Sequence, residues 1–396
     1  MLEVESMYIL HEEHVRNISK IAFSRFLKEL KFKAYGAKTA MVDTINEAVN
    51  EGTLSKEQLG QFIDSEIRYG HHRLLFVKDV EKNSIAYMKS LTYEEVQRLI
   101  ITKGYSLPEN NFIADVHFPT GLQICELKRD EDQLTLTYAR TISCNYDGVI
   151  RRETDFAFVT INFEESTFTV RIRPRGGIVD KDGSKLIKVN QNAYFYIVED
   201  AMKKIFNGLD LIKSVHFKRS MYNIGIKLTE RAEKKWRKQV EAIKDDVITI
   251  SKTLSSKLPD INQEEFDLEF RLTRLLERAL IQSNFEELKK KEEGKLGWVS
   301  SFVFSDNSGG KIKSSTKENG RAIELSELYY DTKDTIDKVR TFDKIWINWF
   351  GEGKRIIDTR IECTQEYYEI HFFNYILNKD ELDHVLSKIR TLAQGD

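Results

Sequence analysis

The chain has 396 residues, 41% hydrophobic and 31% charged, enough to bury the cores of two or three domains and too apolar for a disordered chain. Its formal charge of −2 conceals an uneven spread: residues 1–110 carry 15 Lys+Arg against 16 Asp+Glu, residues 111–240 carry 22 against 17, and residues 241–396 carry 24 against 30. The basic middle, net +5, is where a polyanion would bind.

Three widely spaced cysteines, Cys125, Cys144 and Cys363, argue against a disulfide framework and a cysteine zinc site, and they suit a reducing, cytoplasmic compartment. The start, "MLEVESMYILHEEHVRN", has no basic region leading an apolar run, so no secretory signal is expected. No stretch approaches the roughly eighteen apolar residues of a membrane span.

Residues 1–105 read as a helical N-terminal domain. Val15, Ile18, Ala22 and Phe26 recur at helical spacing, as do Met41, Ile45 and Val49. Capping-box patterns at Ser55–Gln58 and Thr92–Glu95 open two more helices, and "RLLFVKDV" at 73–80 reads as a short strand. From residue 106 the period switches to two, and residues 106–228 read as a basic, antiparallel β-rich domain. It comprises a hairpin over 122–141 turned by "RDED", a second pair over 155–173, a helix over 189–208, and strands at "LIKSVHF" and "YNIGIKL".

Residues 229–292 read as a long helical hairpin. Trp236, Val240, Ile243, Val247, Ile250 and Leu254 form a heptad seam, "PDIN" at 259–262 breaks the helix, and Leu268, Leu272 and Leu275 face back. Residues 293–396 read as an acidic α+β domain ending in a helix capped at Asn378–Glu381. The expected class is therefore α+β, with helical, β-rich, hairpin and mixed parts in that order.

Several residues invite a chemical reading. Asp115, then Glu126 and Lys128, have the spacing of a metal-dependent nuclease of the PD-(D/E)xK type, in which two acids hold Mg or Mn and the lysine supports the attacking hydroxide. The same residues fit an ordinary hairpin, with Glu126 and Lys128 on one solvated strand face, and we rank that reading first. Arg171 and Arg173 should share a strand face opposite Val170 and Ile172, with Arg175, Arg151 and Arg152 nearby and Lys181, Lys185 and Lys188 in the next loop. Guanidinium groups on a solvated sheet face hold phosphates well. A second basic run, with Lys234, Lys235, Arg237 and Lys238, opens the long helix.

"HEEH" at 11–14 sets two imidazoles a turn apart, but the local sequence offers no third ligand and no metal is expected. The glycine-rich "SDNSGGKIKSS" lacks the spacing of a phosphate loop. The expectation is a non-catalytic nucleic-acid-binding or assembly component without a cofactor, its acidic end serving a protein partner. The alternatives are the Mg- or Mn-dependent nuclease and a purely protein-binding scaffold.

Overall fold

The computed structural model describes residues 7–71, 73–107, 112–179, 192–260, 262, 266–284, 295–305, 309–315, 321–353, 355–374 and 377–394. In chain order the helices are α1 (Glu12–Asn17), α2 (Lys20–Glu29), α3 (Lys38–Asn50), α4 (Lys56–Ser65), α5 (Lys82–Ser90), α6 (Tyr93–Thr102), α7 (Asn192–Ile205), α8 (Phe217–Glu241), α9 (Lys244–Lys257), α10 (Leu268–Ser283), α11 (Glu327–Val339) and α12 (Lys379–Ala393). The strands are β1 (Leu74–Val80), β2 (Gln123–Arg129), β3 (Gln133–Tyr146), β4 (Val149–Asn162), β5 (Thr167–Ile172), β6 (Ile178–Val179), β7 (Leu211–Ile212), β8 (Gly297–Ser305), β9 (Lys311–Ser315), β10 (Lys344–Phe350), β11 (Ile356–Cys363) and β12 (Tyr368–Phe372). Helix and antiparallel sheet together make the class α+β.

The chain divides into two compact units, Met1–Ser214 with Gln365–Leu382, and Val215–Thr364 with Asp383–Asp396. In the first, an antiparallel sheet runs β2-β3-β4-β5-β1-β12. β1 comes from the expected N-terminal segment yet lies between β5 and β12. The N-terminal and β-rich segments are therefore one unit, because β1 gives its hydrogen bonds to a strand made almost a hundred residues later.

One sheet face carries the main core: Val159, Ile161, Val170 and Ile172 meet Met88 of α5, Ile100 of α6 and Phe195 and Met202 of α7. A second core knits α1–α4 around Phe23, Leu27, Ile45, Leu59 and Ile63. Each such fully buried side chain contributes about 1.5–3 kcal/mol. The capping boxes form at Ser55/Gln58 and Thr92/Glu95. α4 runs on into a π turn, Glu66–Gly70.

The second unit has an antiparallel sheet in the order β9-β8-β10-β11. Two expectations change here. "YNIGIKL" is helix, not strand: Met221, Ile224 and Leu228 are buried at spacings of three and four, whereas Ile226, which a strand would bury, is half-exposed. Gly225 in this helix lies where a Cβ would come 2.7 Å from the Phe342 ring, so only glycine lets the helix approach.

The long helix expected over 229–258 is α8 and α9, broken at Ala242–Ile243. The break rotates the seam, so Trp236, Val240 and Val247 are buried while Ile243 and Ile250 are 42% and 52% exposed. α10 packs on both α8 and α9.

Candidate metal centre

The sheet face opposite the main core is covered by the N-terminal helices of the same unit, and the layer between mixes apolar and charged side chains. Ile113, Cys125, Ala139, Phe156 and Phe158 form a small apolar patch there. Around it charged side chains cross from helix to strand. Arg68 on the π turn pairs with Glu126 on β2 at 2.7 Å, and its carbonyl accepts from Arg171 of β5. Arg171 also lies over the rings of Tyr69 and Phe158, 4.6 and 5.0 Å from their centroids. Asp64 of α4 accepts from the backbone N–H groups of Ile113 and Ala114. Buried ionic networks add less stability than an apolar core would, but losing one member is costly.

The solvated arginine face expected from the alternation of β5 is thus corrected. The alternation is real, but its polar side faces a helical lid. Arg173 donates to Asn17 of α1 at 2.8 Å. Arg175, its side chain 8% exposed, pairs with Glu153 and with Asp155, the latter at 3.4 Å. Arg151 and Arg152, at the tip of the β3–β4 hairpin, are exposed. Lys181, Lys185 and Lys188 lie outside the described residues, as does the side chain of Lys235. Lys234 is exposed and pairs with Glu230, Arg237 pairs with Glu277, and Lys238 is exposed.

The nuclease set divides. Glu126 and Lys128 meet at 2.6 Å, and Glu126 also accepts from Thr137 at 2.7 Å. Burial raises its pKa, but Arg68, Lys128 and Thr137 outweigh this and hold the carboxyl below its usual value. Asp115 is not on a preceding strand. It sits in a 3-10 turn, Ile113–Asp115, and faces a different cleft. The hairpin expected to carry Asp115, Glu126 and Lys128 does not form between Asp115 and β2, because β2 begins at Gln123.

That cleft holds the feature the sequence did not disclose. His11 caps α1, its Nδ1 accepting from Glu13 N–H at a long 3.3 Å. His117, just after the 3-10 turn, stacks on His11, and its Nδ1 is 3.4 Å from Glu13 Oε2. Glu13 is 3% exposed and anchored to β4: the N–H of Thr154 donates to Oε1 and its hydroxyl to Oε2 at 3.1 Å. The ligand atoms of His11, Glu13 and His117 all lie within 4.8 Å of one another. A metal with bonds of about 2.0–2.2 Å sets ligand atoms roughly 3.3 Å apart, so modest side-chain rotations would complete the contacts. Two imidazoles and a carboxylate suit zinc, iron(II) and their neighbours better than magnesium.

The protonation states fit. Burial, then the His117 charge, lower the pKa of His11. Burial, again followed by His117, pushes His14 down to about 4. His14 Nε2 lies 2.9 Å from Ala114 O, which as a neutral imidazole it bonds as donor. Glu13 is opposed by its own burial, but bonds from His117 and Thr154 hold its carboxyl below the usual value. Neutral imidazoles and an ionised carboxylate are the forms that bind metal.

A cleft of about 850 Å³ opens beside these groups, lined by Tyr8, Lys56, Phe112 and Asp115 as well as the three histidines. No protein family matches the chain, and no curated protein matches it in sequence.

Proposed function

We propose that the first unit binds a divalent transition metal through His11, Glu13 and His117 and uses it for hydrolysis of a ligand held in the adjoining cleft. The reading rests on one observation: His11 and the distant His117 meet on the wall of a cleft of about 850 Å³, and the buried carboxylate of Glu13 lies with them, all three ligand atoms within 4.8 Å of one another. Three protein ligands would leave coordination open, and a metal so held would supply an acidified water and polarise a scissile bond. The chain's own groups do the positioning. Thr154 orients Glu13, the cap of α1 orients His11, and Lys56 on the cleft wall offers a cation to an anionic part of the substrate. Perturbed titratable groups gathered beside a cleft are a mark of such sites.

The test is metal titration of chelator-treated protein with zinc, manganese and iron(II), followed by hydrolysis assays on aryl ester and phosphate ester substrates. One metal per chain is expected, lost in His117→Ala and Glu13→Gln. Equal binding by wild type and both variants would remove the proposal.

A second reading keeps a nucleic-acid partner. The observation favouring it is the β3–β4 tip, where Arg151 and Arg152 are exposed beside the exposed rings and chains of Tyr146, Val149 and Ile150. Phosphate contacts there would make affinity fall with salt, and Arg151→Ala with Arg152→Ala would flatten the logarithmic slope by about 0.7–0.9 per lost contact. An unchanged slope would dismiss this reading.

A further inference from the structure

Arg173 follows β5 and points into a narrow pocket between the sheet and α1, bounded also by Glu13, Asn17, Glu66, His71, Thr154 and Arg175. Its one hydrogen bond among the described residues is to the neutral amide of Asn17, at 2.8 Å, and no carboxylate lies within ion-pair distance of it there. The nearby acids are held by other donors. Glu153 and Asp155 bind Arg175, and Asp155 binds Arg140 as well. Glu66 is paired with Arg25 at 2.7 Å, and Glu13 accepts twice from Thr154. Burial, then the charge of Arg175, lower the pKa of Arg173 to about 10, which leaves the guanidinium charged at neutral pH. Arg173 is half-buried, and a charge partly removed from water without a direct counter-charge gains from a partner ion.

We propose that this pocket binds a chloride-sized inorganic anion on Arg173. The pocket has about 30 Å³ of space. A single water needs about 10–15 Å³, so the space suits one small anion or a few waters. The amide of Asn17 and the hydroxyl of Thr154 are neutral groups on the same wall. His71 is pushed down to about 4, chiefly by burial and then by Arg173, so it brings no charge of its own at neutral pH. The anion completes the charge balance of the layer that joins the helices to the sheet. The pocket adjoins the proposed metal centre, since Glu13 borders both, so the experiment removes the metal before the anion is read.

The experiment is a set of thermal melts of the full chain at fixed ionic strength, with chelator present throughout so that the metal site contributes nothing. Chloride replaces gluconate, which is too large for the pocket. An ion that binds only the folded state raises Tm by mass action, so wild type should show a saturable upward shift with chloride. Arg173→Gln should lose that shift. Asn17→Asp places a carboxylate against the guanidinium, so this variant should melt higher than wild type in gluconate and ignore chloride. It carries the test if Arg173→Gln does not fold. Bromide-soaked crystals should give an anomalous peak beside Arg173. A wild-type Tm indifferent to the exchange would mean water alone fills the pocket, and a chloride shift that persists in either variant would place the ion elsewhere; each overturns the proposal.

Discussion

His11 and His117 lie face to face, their ring centroids 3.8 Å apart at 25°, with Glu13 beneath them and His14 at 5.8 and 5.1 Å from the two rings. Two stacked imidazoles tolerate one proton between them far better than two. Metal binding should therefore fail in acid, as protons compete for the same nitrogens. Zinc affinity, measured by calorimetry from pH 8 to pH 5, should fall steadily. A flat profile would show that the histidines are not ligands.

Glu126 offers a control for that centre. Glu126→Gln should leave metal stoichiometry unchanged, since this residue does not line the cleft. It should cost about 1–3 kcal/mol of stability, because Arg68 loses its buried partner. Loss of metal binding with the fold intact would restore the nuclease-type pairing of Asp115 with Glu126.

His71 sets a window of acid sensitivity. Its pKa is pushed from 6.5 to about 4, so between these values the unfolded chain takes up a proton that the folded chain refuses. The stabilisation is complete above about pH 6.5 and is lost as pH falls toward 4, by an amount on the order of 3 kcal/mol. Urea denaturation across that range should show a shallower decline for His71→Gln than for wild type. Parallel curves would mean that the imidazole is not held neutral by the fold.

The arginines of the central segment should behave as two classes. Arg175→Met leaves Glu153 and Asp155 buried with less compensation and should cost about 3–5 kcal/mol. Arg151→Ala and Arg152→Ala, at the exposed hairpin tip, should each stay within about 0.5 kcal/mol of wild type. Chemical denaturation reads both, and equal effects would contradict the buried layer.

The break between α8 and α9 makes a similar contrast. Val247→Asp should unfold or strongly destabilise the second unit, since Val247 is 3% exposed. Ile243→Asp and Ile250→Asp should be tolerated, because both side chains already meet solvent. Circular dichroism melts decide it. Unfolding by Ile250→Asp would show the continuous seam to be correct.

Local rules made much of this chain legible in its sequence. The capping boxes at Ser55 and Thr92, the cap bonds at Asn378 and Glu381, the period-two strands of the β3–β4–β5 meander and the opposed faces of Val170 and Arg171 all follow from interactions within a few residues. Where two periods both fit, local reading failed: Tyr222–Leu228 alternates like a strand, but burial against Phe342 selects the helix. Long-range contact decided the rest. Alternation assigns Arg171 and Arg173 to a face without telling whether that face meets water or a helical lid. Likewise "HEEH" supplies two ligands of a metal cluster, but the third, His117, lies more than a hundred residues away and comes near only because Asp64 and His14 tie the 113–117 turn to the N-terminal helices. Convergence of distant side chains is a product of packing, and packing leaves no periodic mark in the sequence.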